Sequence, residues 1–427
     1  MAWVLLLGFV GMMLAGVPII MAMFGGSLLA LAYSGMAGSL YIVPQQILDG
    51  IENPSLIAIP FFILAGNLMN AAAISDRIFN FANALVGSFR GGLAQVCVLS
   101  SAIFAGISGS ALADIAGLGM IQVKAMRERG YPVPYAAALI VAAALIAPTV
   151  PPSIALIVYA YLANESVARM FLAGLLPGCV LALALMTCNL LIATTQNFPR
   201  EPGLSIKAIM ATALDGIAAL LAPGIILGAI VGGLTTPTEA GVLACAYSIF
   251  LGIVYRSLSW EKVFAAISNT VLICAMIMMI IGFSTLMGWL LAIEQVPQQL
   301  AQLILGLTTD RSLFLLLLIL FLLAIGCLVE SVPAKVILVP ILLPVIDQFG
   351  IDRVQFGLIL TLSLAIGIAH PPIGIGLFIM MDIAKLSLER LTVAMLPLLV
   401  PLLIVLFLIA YVPALTLWLP TLLMGAR

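Results

Sequence analysis

Charge is what this chain has least of: 16 Lys and Arg, 17 Asp and Glu and a single histidine, His370, in 427 residues that are 64% hydrophobic. Soluble domains carry roughly 25% charged residues, so a charged fraction of 8% excludes one and implies a polytopic membrane protein. A net charge of −1, without a basic arm, excludes a nucleic-acid surface. The six cysteines (Cys97, Cys179, Cys188, Cys245, Cys274 and Cys327) stand singly in apolar stretches. That spacing excludes a cysteine-based metal centre and leaves them as small core residues. There is no Gly-x-x-x-x-Gly-Lys-Ser/Thr phosphate cradle, so the chain itself hydrolyses no nucleotide. Nothing resembles the charged rings or carbonyl filter of a channel. The N-terminal stretch lacks the positive region of a signal peptide and is expected to be retained.

What is abundant is apolar sequence. Runs fall at about 2–16, 18–34, 54–73, 93–123, 134–162 and 170–194, and again at about 212–234, 237–255, 264–292, 312–346, 354–383 and 392–417. A polar linker, 196–210, separates a first unit, 1–195, from a second, 211–427. The two sets share order and approximate length. Gly106 and Gly326, Gly130 and Gly350, and Pro151-Pro152 and Pro371-Pro372 are each 220 residues apart (371 − 151 for the prolines), while Pro18 and Pro237 are 219 apart. Glycine and proline fix backbone geometry, so this register predicts an internal repeat.

Two segments of each unit are interrupted. Segments 93–123 and 312–346 carry Gly- and Ser-rich polar patches, Gly106 to Asp114 and Gly326 to Lys335, which suit re-entrant helical hairpins. Segments 134–162 and 354–383 contain the Pro-Pro pairs, which remove backbone donors and predict broken transmembrane helices. With hairpins counted as zero crossings, each unit crosses five times, so the second is inverted relative to the first. Charge agrees with this. Arg77, Arg90, Lys124, Arg127 and Arg129 flank the first hairpin, a cytoplasmic signature. A mixture of Glu294, Asp310, Arg311, Asp347, Asp352 and Arg353 flanks the second and suits the outer face. The linker is then cytoplasmic.

Paired broken helices point to the binding site of a secondary transporter. Carbonyls freed near Ala144, Ala147 and Pro148 suit a desolvated Na⁺, with Ser108, Gly109, Ser110, Pro148, Thr149 and Val150 forming a first site. Gly326, Glu330, Ser331, Ala369 and His370 form a second. The half-helix N-termini suit an anion, held by Ser110, Pro152, Ser153, Ser331, Pro372 and Gly374. Two Na⁺ and one carboxylate-bearing substrate follow. Asp114, Glu239, Glu330 and Lys335 are ionisable groups at membrane depth and functional candidates, unless Glu330 and Lys335 merely neutralise each other. A rival reading takes Gly106-Ile-Ser-Gly109 as the G-x-S-G pattern of an intramembrane serine protease, with Ser108 as nucleophile and His370 as base.

Several motifs together are similar to the large, DctM-like membrane subunit of tripartite ATP-independent periplasmic (TRAP) transporters. They are Ile59-Pro60-Phe-Phe-Ile-Leu-Ala-Gly66-Asn-Leu-Met, Phe104 to Asp114, Val150-Pro-Pro-Ser153, Ala163 to Gly174, Thr236-Pro-Thr-Glu239 and Gly367-Ile-Ala-His-Pro-Pro-Ile-Gly374. The resemblance implies a Na⁺-driven importer of organic acids, sialic acid or C4-dicarboxylates among them, in the bacterial inner membrane. It further implies a small four-helix membrane partner, a periplasmic substrate-binding protein, and an elevator motion of a transport domain against a scaffold. His370 departs from the family, which usually has Thr there; backbone carbonyls could still coordinate a cation.

Overall fold

Hydrocarbon offers a backbone no hydrogen-bond partner, so a membrane-embedded chain must satisfy its own N–H and C=O groups. The computed structural model, which describes residues 1–35, 41–72, 74–196, 198, 206–370 and 374–425, does this with helices and has no strand among those residues. The first set is α1 (Ala2–Leu14), α2 (Ile19–Tyr33), α3 (Ile42–Ile51), α4 (Ala58–Ala71), α5 (Ile74–Val86), α6 (Gly92–Ser108), α7 (Ala111–Glu128), α8 (Val133–Ala144), α9 (Ile154–Leu162) and α10 (Val167–Thr195). The second is α11 (Ile206–Val231), α12 (Pro237–Val254), α13 (Trp260–Ile293), α14 (Val296–Leu307), α15 (Arg311–Leu328), α16 (Ser331–Gln348), α17 (Arg353–Ile368), α18 (Ile375–Ala384), α19 (Leu388–Tyr411) and α20 (Ala414–Met424). Six of the described helices are long and apolar enough to cross a membrane, or up to eight if each bent pair counts as one span.

The 220-residue offset is visible in the elements. Helix α7 starts at Ala111 and α16 at Ser331; α8 starts at Val133 and α17 at Arg353. Both interrupted segments fold back on themselves. Across the first tip, Gln122 Nε2 donates to Ser100 Oγ at 3.2 Å. Across the second, the Phe314 and Phe349 rings stack with centroids 4.1 Å apart. Gly109 turns the first tip in the left-handed region, φ +60°, and the Ser110 hydroxyl caps α7 by accepting from the Ala113 N–H at 3.4 Å. At the second tip Glu330 caps α16, accepting from the Val332 N–H at 3.1 Å.

Between the hairpins lie the broken helices, and they form the core. Every residue of α17 from Val354 to Ile368 is buried, as is every residue of α8 from Tyr135 to Ala144, the pattern of helices apolar on all sides. The outer end of α9 meets the start of α17, where the Tyr159 hydroxyl donates to the Arg353 carbonyl at 2.5 Å. Conversely, α18 lies along α8: a Cβ on Gly119 would meet Met380 and Ile140 together, at 3.1 and 3.6 Å. The two broken helices therefore run antiparallel; an inverted repeat would put the open ends of the hairpins, Glu128 and Gln348, on opposite sides of the membrane. In a background freed of native cysteines, a cysteine at Gln348 should react with impermeant thiol reagents from outside, and one at Glu128 only from inside. Labelling of both from one side would rule this arrangement out.

Several elements were not legible as apolar runs. Helices α3, α5 and α14 are short and amphipathic, and segment 392–417 divides at Val412-Pro413 into α19 and α20. The first two runs are two separate helices packed antiparallel: a Cβ on Gly26 would stand 3.1 Å from the Leu5 carbonyl, and one on Gly8 3.3 Å from Leu29. Amphipathic α5 is fastened to the second half by Arg77, which pairs with Asp215 and lies 3.7 Å over the Tyr255 ring. The cysteines are all free, but the expectation that all are core residues fails: Cys179 is exposed and Cys188 and Cys274 are half-buried. On a surface meant for lipid a small thiol need not be hidden. Of the linker, 197 and 199–205 lie outside the described residues; Phe198 is buried between Tyr131 and Tyr135, at 4.9 and 5.0 Å.

Candidate functional site

The first break begins before its prolines. Helix α8 ends at Ala144, and the chain continues through tight turns in which Leu145, Ile146 and Ala147 donate to the carbonyls of Ala142, Ala143 and Ala144. The Ala144 carbonyl is thus occupied. The Pro148 carbonyl accepts from the Ser153 hydroxyl at 2.7 Å, and the same Ser153 oxygen caps α9 by accepting from the Leu156 N–H at 3.3 Å. Only Ala147, among the three carbonyls expected to be free, receives no hydrogen bond within the described residues. Ser153 therefore closes the break, while the Thr149 hydroxyl is fully buried and has no partner.

The first hairpin tip sits on this break. A Cβ on Gly109 would lie 2.6 Å from the Pro152 carbonyl oxygen and 3.0 Å from Ser153 Cα. From the other side α4 presses on the tip, with a Cβ on Gly66 3.3 Å from the Ile107 carbonyl and 3.5 Å from Ser108 Cα. Helix α10 braces the break itself, since Gly174 packs onto the Thr149 carbonyl and Gly178 onto Val150. Ser108, Gly109, Ser110, Thr149, Val150, Pro152 and Ser153 thus lie around the first break. Asp114, in the first turn of α7, is 2% exposed. Ser108 is its electrostatic neighbour, yet neither carboxylate oxygen finds a partner at hydrogen-bond geometry.

At the second break, α15 and α17 cross backbone to backbone: Gly326 and Gly367 touch so closely that neither has room for a Cβ. Cys327 Sγ lies 3.5 Å from His370 Nδ1. The carbonyl oxygens of Ile368 and His370 converge to within 2.8 and 2.9 Å of where a Cβ on Gly374 would stand. Pro371, Pro372 and Ile373 lie outside the described residues. The Ser331 hydroxyl is 5% exposed and unpartnered. These oxygens suit a hard monovalent cation, and no group of three His, Cys, Asp or Glu converges anywhere among the described residues.

Two ionisable residues behave otherwise than the sequence suggested. Glu239 is exposed at the start of α12 and forms a capping box with Thr236, whose N–H reaches its carboxylate at 2.7 Å. Lys335 is fully buried but makes no ion pair with Glu330; its Nζ donates to the Ala155 carbonyl of α9 at 3.0 Å. The two make no contact ion pair, because Glu330 turns back to cap its own helix, but their charges still act on each other at longer range. Nor are Ser108 and His370 joined. Ser108 Oγ accepts from the Ser110 N–H at 3.4 Å, and His370 belongs to the other break. Sequence reasoning gave no role to the glycines Gly66, Gly174 and Gly178, although a glycine inside a helix is itself a signal of close packing.

Two antiparallel broken helices, each met by a hairpin tip and lined by unpartnered oxygens, define a secondary-transporter fold rather than an enzyme cleft. Over residues 6–415 the chain matches the family model of the tripartite ATP-independent periplasmic transporter, DctM component, and it belongs to that family. It is 39% identical to the sialic acid TRAP transporter large permease protein SiaM of Vibrio cholerae, covering 98% of each chain. It is 34% identical to the C4-dicarboxylate TRAP transporter large permease protein DctM of the same organism, covering 97% of this chain and 96% of that one. The YdaH transporter of Alcanivorax borkumensis shares the fold, with a TM-score of 0.59, 14% identity and 90% of each chain covered. The chain is accordingly a transporter subunit, a multi-pass protein of the bacterial inner membrane.

Proposed function

We propose that this chain is the translocating subunit of a Na⁺-coupled importer of small organic acids, of the sialic acid or C4-dicarboxylate type. The acid is delivered by a periplasmic binding protein, and a small four-helix membrane subunit completes the complex. The observation that carries this is unpartnered oxygen at both breaks, the Thr149 hydroxyl and Ala147 carbonyl at one and the Ser331 hydroxyl at the other, where the Ile368 and His370 carbonyls also converge on Gly374. Desolvated oxygens without donors are what a dehydrated Na⁺ replaces water with. Asp114, buried with both carboxylate oxygens unpartnered, stands near Ser108 beside the first gap. The same geometry supports two inverted units, 1–195 and 211–427. It also supports an elevator in which α6–α9 and α15–α18 travel as one body, because α7 packs on α18 and α16 on α9, across the halves.

Substitution at the four hydroxyls tests the cation sites. Ser108→Ala, Ser110→Ala, Thr149→Ala and Ser331→Ala should each raise the Na⁺ concentration for half-maximal uptake, by about 1–3 kcal/mol for a lost buried ligand. Thr149 and Ser331 should show the largest shifts, having no other partner, whereas Ser110→Ala should also lose about 1 kcal/mol of stability with its cap. Ser153→Ala is the control: it should weaken the fold and leave the Na⁺ requirement alone. Unchanged Na⁺ dependence in all four variants defeats the assignment.

A further inference from the structure

Lys335 is the group that the proposal above leaves unused. A lysine at membrane depth is costly unless something needs its charge, and packing does not need it here. Its counterpart 220 residues earlier (335 − 115) is Ile115, an aliphatic residue that fills the same kind of contact, 3.0 Å from where a Cβ on Gly376 would stand at the start of α18. Lys335 makes the corresponding contact with the start of α9, through its ammonium. That ammonium has three donors, and the Ala155 carbonyl is the one acceptor it reaches among the described residues.

The surroundings of the ammonium are those of an anion site. Helices α9 and α16 run in the same direction, since both lead away from their breaks toward the side where Tyr159 meets Arg353. Their N-termini lie together with the positive ends of both dipoles turned to this corner, although Glu330 already takes the Val332 N–H of α16 and Ser153 the Leu156 N–H of α9. Ser331 is one helical turn before Lys335 on the same face of α16, and its hydroxyl is buried and unpartnered. In the opposite corner, between α7 and α18, the equivalent pair reads Asp114-Ile115 where α16 has Ala334-Lys335. Each helix thus buries one ionisable group, acidic in α7 and basic in α16.

Resting on the transporter reading, we propose that Lys335, with the Ser331 hydroxyl and the start of α9, holds the acid group of the substrate at the α9–α16 corner. Glu330 stands at the same end of α16, committed to its cap. It balances the ammonium until a cation binds beside it, so the acid follows Na⁺ into the site. The corner is closed in this conformation, and the acid enters when the Val329-Glu330 tip lifts.

Thermal unfolding of the purified complex, this chain with its small membrane partner, tests the assignment without the binding protein's own selectivity. The probes are sialic acid and succinate, each beside its methyl ester, at saturating Na⁺. For the unaltered complex, one of the acids raises the unfolding temperature and its ester does not. In Lys335→Met the half-saturating acid concentration should rise about tenfold or more, acid and ester should become equivalent, and the Na⁺-induced shift should persist. Lys335→Ile, copying Ile115, should behave alike, and Ser331→Ala should weaken acid binding to a lesser degree. If Lys335→Met still prefers acid to ester, or loses its acid and Na⁺ responses together, Lys335 is a structural post and the inference fails. An unaltered complex that responds to neither acid overturns the substrate class proposed above, and the inference falls with it.

Discussion

Gly109→Ala is expected to abolish Na⁺-dependent uptake. Two costs fall on one methyl group. The residue turns at φ +60°, where a side chain costs about 1–2 kcal/mol. The added carbon would also stand 2.6 Å from the Pro152 carbonyl oxygen, inside van der Waals contact and against backbone that cannot rotate away. The tip must lift off the break that it covers, and the gap between Ser108, Thr149 and Ser153 opens with it. Gly130→Ala separates the two costs: Gly130 has φ +79° and nothing within 4 Å of its added carbon. That variant should lose only the conformational term and transport normally. Initial uptake rates in proteoliposomes, normalised to folded protein, give the comparison. Equal tolerance of the two substitutions would show that the hairpin is not seated on the break.

The second large effect is electrical. Two Na⁺ accompanying a monoanion such as sialic acid carry one net positive charge inward, and each charge gains about 2.3 kcal/mol per 100 mV. An imposed inside-negative potential of that size should therefore raise accumulation roughly fiftyfold. A dianionic C4-dicarboxylate with the same two ions moves no net charge and should be indifferent to potential while still requiring Na⁺. ATP should have no effect in either case. His370→Thr should leave transport largely intact, because the carbonyls near Gly374 and not the imidazole shape that break. Uptake that ignores the Na⁺ gradient altogether removes the coupling.

Much of this was legible because proline and glycine act through the backbone, which sequence reports directly. The 220-residue offset separates the starts of α7 and α16, and likewise those of α8 and α17. Proline alone was not the signal, however. Helix α16 runs unbroken through Pro340 and Pro344, and α19 through Pro397 and Pro401. A single proline costs one hydrogen bond, and neighbouring helices absorb the kink; adjacent prolines remove two donors in succession, and the chain unwinds. The amphipathic helices α3, α5 and α14 escaped because a search for apolar runs passes over helices that are apolar on one face only. At the site, hydroxyl identity could be read but not availability. Ser153 and Thr149 look equivalent in sequence, yet one is spent on the Pro148 carbonyl and a cap while the other is free. Lys335 looked like the partner of a glutamate five positions before it, and only the packing of α16 on α9 redirected it.

That packing has a consequence for how the protein is made. The start of α9 is covered by α16, so the polar break that ends at Ser153 is complete only after the ribosome has added Lys335 and the rest of its helix, to Gln348. From Ala155 to Gln348 is 193 residues (348 − 155). At about 5–20 residues per second that interval lasts roughly 10–40 s. Throughout it, an unwound, carbonyl-rich segment stands in a nascent bilayer protein without its second wall. During that interval the break is held by first-half elements alone, the hairpin tip at Gly109 and helix α10 at Gly174 and Gly178.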